Sequence, residues 1–107
     1  MLIRTAFFEG DIRPGHEADF NACVNDVLKP MWLQFPGALG VEVLREIEAD
    51  DGSRPYPLLL QVSYPNRAAL DQALASPIRV ASREPTQCLF DHFDGRIFLT
   101  ICERLTD

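Results

Sequence analysis

Hydrophobic periodicity changes along the chain in the order two, 3.6, two, two, 3.6, two, and few folds satisfy that order. The first segment, "LIRTAFFE" (2–9), is rich in residues that suit a strand, and Gly10 closes it. In "RPGHEADFNACVNDVLKPMW" (13–32), Pro14 fits a first helical turn. There His16, Phe20, Cys23, Val24, Val27, Leu28 and Met31 fall within an arc of about 140°. Ala18, Asp19, Asn21, Asn25, Asp26 and Lys29 cover the other side, so the stretch predicts a helix. Pro30 ends or kinks it by removing a backbone donor.

Phe35-Pro36-Gly37 marks a turn into "ALGVEVLREIE" (38–48), a strand with Leu39, Val41 and Val43 on one face. The Asp-Gly pair in "ADDGSRPYP" signals a hairpin loop, and "LLLQVSY" (58–64) is the returning strand. Asn66 caps a helix over "RAALDQALA", and Ser76-Pro77 starts a second piece that ends near Pro85. "RIFLTICER" (96–104) is the last strand. The sum is a single α+β domain over 1–107 with ferredoxin-like β-α-β-β-α-β order. Two helical regions cover one face of a four-stranded antiparallel sheet.

Strand parity then assigns faces. Ile3, Thr5, Phe7, Leu39, Val41, Val43, Leu58, Leu60, Val62, Ile97, Leu99 and Ile101 are almost wholly apolar and are expected under the helices. The other set includes Leu2, Arg4, Ala6, Phe8, Glu42, Leu44, Gln61, Phe98 and Cys102, too greasy for water and too polar for a core. A face of that mixture meets a partner. On it Arg4 needs a carboxylate, and Glu42 is the expected mate, within the subunit or across the dimer.

A sheet that buries one face under helices and the other against a copy of itself resembles the dimeric α/β-barrel superfamily. "RPGHEADF", "FPGALGVEVLRE" and "ALASP" are similar to its EthD-like and antibiotic-biosynthesis-monooxygenase-like members. The resemblance implies a homodimer with a small cavity in each subunit between helices and sheet. It also implies a range of activities: cofactor-free oxygenases, isomerases, cyclases, haem degraders, and proteins with no established reaction. The haem degraders' asparagine, tryptophan and histidine cannot all be placed here, so no haem and no other cofactor is expected. Fold alone does not choose among the rest.

Two histidines are the candidate catalytic residues. His16 stands at one margin of the apolar arc in the first helical turn, where the helix dipole favours a neutral imidazole able to accept a proton. If it serves a ligand, it faces a cavity bounded by Phe20, Thr5 and Phe7; the plainer reading, which the sequence favours, is a half-exposed helix-start residue beside Glu17 and Asp19. His92, in "DHFDGR", lies in a region from which some cyclases of the superfamily draw a base. Its neighbours Asp91 and Asp94 suggest a metal, but adjacent loop residues fit a solvated turn better, and no metal is expected.

Thr5, Phe7, Phe20, Trp32 and Tyr64, with Tyr56, are candidates to line an aromatic-rich ligand pocket, although such spacing serves a core equally well. Cys23, Cys88 and Cys102 form an odd set without a Cys-x-x-Cys pair and read as buried, reduced thiols, with Cys23 and Cys102 inside apolar segments. A formal charge of -6 offers no basic face to nucleic acid or anionic membrane. No apolar run approaches the ~20 residues of a membrane span, and the first residues lack a signal-peptide pattern, which points to the cytoplasm. The leading expectation is a small dimer that binds, and can transform without cofactor, a compact apolar or aromatic metabolite. The alternative is a non-catalytic accessory or assembly protein whose cavity is filled by its own side chains.

Overall fold

Strands β1 (Leu2–Ile12), β2 (Gly40–Leu44), β3 (Leu58–Tyr64) and β4 (Phe93–Glu103) form one antiparallel sheet in the order β2-β3-β1-β4. The structure, a computed structural model, describes residues 1–106. The strand order and the helices between β1 and β2 and between β3 and β4 are the ferredoxin-like arrangement that the periodicities predict.

The first helical run consists of α1 (Glu17–Ala22), a π-helical turn (Cys23–Leu28) and α2 (Lys29–Trp32). Pro30 does not end it. The Lys29 N–H reaches back five residues to the Val24 carbonyl, and this widened turn absorbs the donor that proline lacks. Phe20, Cys23, Val24, Leu28 and Trp32 are buried, as a greasy stripe requires, but the extra residue in the turn rotates Val27 outward to 44% exposure.

In the second helical region, Asn66 caps α3 (Arg67–Leu74) by accepting a hydrogen bond from the Ala69 N–H at 2.9 Å. The helix buries Leu70 and Ala73 against the sheet. Two short helices follow, α4 (Pro77–Ala81) and α5 (Arg83–Gln87). Pro85 therefore does not end the helix. It sits in the first turn of α5, where a backbone N–H has no intrahelical acceptor to lose.

Register corrects the parity of one strand. Leu2, Arg4, Ala6 and Phe8 of β1 stand opposite Tyr64, Val62, Leu60 and Leu58 of β3, so they share the helix-covered face. Ile3, Thr5 and Phe7 are on the open face with Ser63, Gln61 and Leu59. Both parities of β1 are apolar, so alternation alone could not choose between them. β2, β3 and β4 face as expected. Leu99 and Ile101 nevertheless stay partly exposed, because β4 is an edge strand.

β1 and β4 pair over their whole lengths, and Gly10 lies opposite Gly95 rather than closing the strand. A Cβ on Gly95 would sit inside contact distance of the Glu9 carbonyl, and Gly10 has φ +146°, so this crossing needs glycine on both strands. The core is centred on Tyr64, Phe20, Phe93, Leu28, Leu70 and Leu89, and each large side chain contributes about 1.5–3 kcal/mol by leaving water.

Two thiols meet at its edge, Cys23 Sγ and Cys88 Sγ at 2.6 Å. Burial, then the hydrogen bond with Cys88, pushes the Cys23 thiol up to about 12. Cys102, expected in an apolar setting, is exposed on the open face near the end of the edge strand. Among the described residues, no helix is long and apolar enough to cross a membrane.

Candidate functional site

A cavity of about 440 Å³ lies between the sheet and α3 to α5, within the range of small-molecule sites. Its floor carries Arg4 and Ala6 of β1, Leu60, Val62 and Tyr64 of β3, and Ile97 and Leu99 of β4. Ala73 and Leu74 of α3 and then Arg79, Ser82, Arg83 and Thr86 form the roof. Small residues make the space. Ala6 on the sheet and Ala73 on α3 both line it, where larger side chains would fill it. The roof is interrupted at Ser82, whose hydroxyl donates to the Arg79 carbonyl at 2.6 Å. Thr86 donates likewise to the Ser82 carbonyl at 2.6 Å, so neither hydroxyl fills the cavity with a cross-link.

The charge in this cavity is one-sided. Burial, then the nearby charge of Arg79, holds the Arg4 guanidinium below its ordinary range, while Tyr64 acts the other way. Burial pushes the Tyr64 hydroxyl up, opposed by Arg4, so it stays a phenol and a hydrogen-bond donor at neutral pH. The cavity lining contains no carboxylate, and among the described residues Arg4 makes no ion pair. Among the described residues the Arg79 guanidinium donates only to the Leu74 carbonyl, at 3.3 Å. The expected mate of Arg4, Glu42, is exposed on the opposite face, in register with Gln61. An apolar hollow flanked by guanidinium groups without anions suits an apolar molecule with a carboxylate.

Of the expected pocket residues only Tyr64 lines this cavity. Phe20 is 1% exposed and packs on Phe93 with ring centroids 6.0 Å apart, and Trp32 is 5% exposed in the core. Phe20 also borders a smaller hollow of about 180 Å³ with Val24, Val43 and Leu58. Thr5 and Phe7 lie on the open face, so the pocket expected for His16 between Phe20, Thr5 and Phe7 does not form. There Phe7 stacks on Phe98 at 4.8 Å and meets the edge of Tyr56 at 5.4 Å.

The two histidines meet each other. His16 Nδ1 and His92 Nδ1 are 3.0 Å apart, and neither ring lines the large cavity. Arg13 draws their segments together: its N–H donates to the His92 carbonyl at 2.9 Å, and its guanidinium reaches Asp94 at 3.0 Å and the Asp91 carbonyl at 3.2 Å. Sequence reasoning missed Arg79 and Arg83. The available signal was their spacing, two cations one turn apart in the helical region that must cover the sheet.

No family model matches the chain, and no curated protein matches it by sequence. Solved structures match along nearly its whole length. An EthD family protein from Bacillus halodurans is 19% identical with a TM-score of 0.77, covering 98% of this chain and 99% of that one. An antibiotic biosynthesis monooxygenase is 18% identical with a TM-score of 0.65, covering 99% and 100%. A dimeric ferredoxin-like protein of unknown function from Jannaschia sp. is 17% identical with a TM-score of 0.66, covering 96% and 98%. The chain has the fold of the EthD-like and monooxygenase-like proteins. At these identities the likeness establishes that shared fold, the one the sequence motifs resemble, and the chemistry has to be read from the cavity.

Proposed function

We propose that the chain is a single-domain cytoplasmic homodimer that binds a compact apolar or aromatic acid between its sheet and α3 to α5. One observation carries this reading: Arg4 and Arg79 border an apolar cavity of about 440 Å³ whose lining has no anion. A carboxylate placed there gains charge-assisted hydrogen bonds from the arginines and Tyr64, while its hydrocarbon body covers Ala6, Leu60, Val62 and Leu74. The space is open, not closed by the chain's own side chains, which favours ligand binding over a purely structural accessory role. Tyr64 and the guanidinium groups donate and do not accept protons near neutral pH, so they orient and polarise a carboxylate or carbonyl without cofactor.

The Phe7, Tyr56 and Phe98 rings on the open face support pairing of two copies there. A protein of this fold from Jannaschia is itself dimeric. Three cysteines without a disulfide framework suit a reducing compartment.

The test is a binding titration with a panel of aromatic and branched aliphatic carboxylic acids and their neutral amides. At least one acid is expected to bind at micromolar to millimolar concentration, its amide at least tenfold more weakly, and Arg4→Met and Arg79→Met each to weaken the acid selectively. Equal binding of acid and amide, or acid binding untouched by both variants, would overturn the assignment.

A further inference from the structure

His16 and His92 are separated by 76 residues of sequence, yet their Nδ1 atoms are 3.0 Å apart. The Asp19 carboxylate completes the group, with one donor atom from each residue lying within 4.8 Å of the others. We propose that His16, Asp19 and His92 form a binding site for a divalent transition-metal ion, with zinc as its reference occupant. The site is separate from the acid-binding cavity and does not depend on it.

Two nitrogens bound to one ion at about 2.1 Å lie about 3.0 Å apart at a right angle and about 3.4 Å apart at the tetrahedral angle. The observed spacing falls in that range; with the ring centroids 5.3 Å apart the two nitrogens point at each other, so binding turns each ring to bring both lone pairs onto the shared ion. His16 and Asp19 are three positions apart at the start of α1, which places them on one helical face. Asp19 is exposed and needs only a rotamer change to close on the ion.

Other interactions already hold the two segments in place. The Arg13 N–H bonds the His92 carbonyl at 2.9 Å, and the His16 N–H bonds the Arg13 carbonyl at 2.9 Å. His16 is the N-cap residue of α1, but its side chain makes no capping hydrogen bond and is left for other use. Asp94, the carboxylate that sequence proximity offered to His92, is instead paired with Arg13. Asp19 has no ion pair among the described residues.

A hydrogen bond between the rings accounts for the 3.0 Å contact alone, with one Nδ1 carrying the proton and the other accepting it. It leaves Asp19 beside the pair with no cation to face. A metal ion uses all three groups, and the chain's net charge of -6 favours its approach. Two imidazoles and one carboxylate select zinc and its first-row neighbours over magnesium or calcium, which prefer oxygen ligands throughout. Three protein ligands leave a coordination position to water. The ion also ties the start of α1 to the approach of β4.

The experiment uses the full chain, stripped with a chelator and titrated with zinc by calorimetry. Cobalt is substituted for zinc to read the ligand field by absorption. One zinc per chain is expected at micromolar affinity or tighter, with a rise in melting temperature. His92→Ala should weaken zinc about a hundredfold and Asp19→Asn about tenfold. Asp19→Asn changes an exposed side chain and keeps the assay informative should a histidine variant fold poorly. Cys23→Ser/Cys88→Ser should leave affinity unchanged. Absence of stoichiometric zinc, equal affinity in Asp19→Asn and His92→Ala, or loss of zinc with the cysteines would each overturn the proposal.

Discussion

Replacing Arg4 by methionine should make the ligand-free protein more stable while removing its grip on an acid. Arg4 sits on the cavity floor, half-buried, facing the charge of Arg79 and without a carboxylate. Methionine keeps a flexible stem of similar length and packs against Ala6 and Val62 without the desolvated charge. Relieving a fully buried unpaired cation is worth several kcal/mol, but solvent screens a half-exposed one, so the gain here is about 1 kcal/mol. For 107 residues at about 2.1 cal/mol/K each, the unfolding entropy is near 0.22 kcal/mol/K, so that gain raises the melting temperature by about 4–5 °C. Thermal unfolding followed by circular dichroism at low and at high salt measures it. Salt screens the repulsion between Arg4 and Arg79 in the parent chain, so the gap should narrow as salt rises. A fall in melting temperature of the same size, or a gap indifferent to salt, would show that Arg4 is paired inside the protein and that the reasoning for an acid ligand is wrong.

Gly95→Ala should cost about 3 kcal/mol in urea unfolding, because its new Cβ meets the Glu9 carbonyl and the Phe93 ring; a midpoint within error of the parent would contradict the crossing described for β1 and β4. Phe98→Asp puts an unpaired charge on the open face and should give monomer or aggregate by light scattering, whereas a parent protein already monomeric at micromolar concentration would rule out the dimer. The Cys23 thiol keeps its proton up to about pH 12 while the unfolded chain releases its own near 9.0, so stability should decline as pH rises through that window. Cys23→Ala should flatten the decline between about pH 9 and 11, and an unchanged slope would count against it.

What the sequence made legible follows from how many residues vote on each feature. The helices and strands rest on periodicities summed over many side chains, so a single proline did not undo the first helix; it was absorbed as a π turn at Cys23–Leu28. The face of β1 is not legible in its own residues because Leu2, Ile3, Ala6, Phe7 and Phe8 make both parities apolar, and only pairing with β3 fixes which side carries Arg4. That one reversal moved Thr5 and Phe7 out of the supposed pocket and Arg4 into the actual one. The meeting of His16 with His92 was illegible for a different reason. It depends on β1 and β4 continuing past Gly10 and Gly95, a register that brings Ile12 opposite Phe93 and no local pattern encodes.

That same register keeps the two sites apart. Arg4 and Ile12 are eight residues from each other on β1, about 26 Å at the rise of an extended strand. The cavity runs from Arg4 and Ala6 to Ile97, opposite Phe8, and to Phe90, while the histidines are held near the Ile12 end by Arg13. The two sites offer opposite chemistry: guanidinium groups in an apolar hollow where an anion would be held, imidazoles and a carboxylate at the rim where a cation would. A chain of net charge -6 repels an acid over its surface in general and draws it in only where Arg4, Arg79 and Arg83 reverse the local sign.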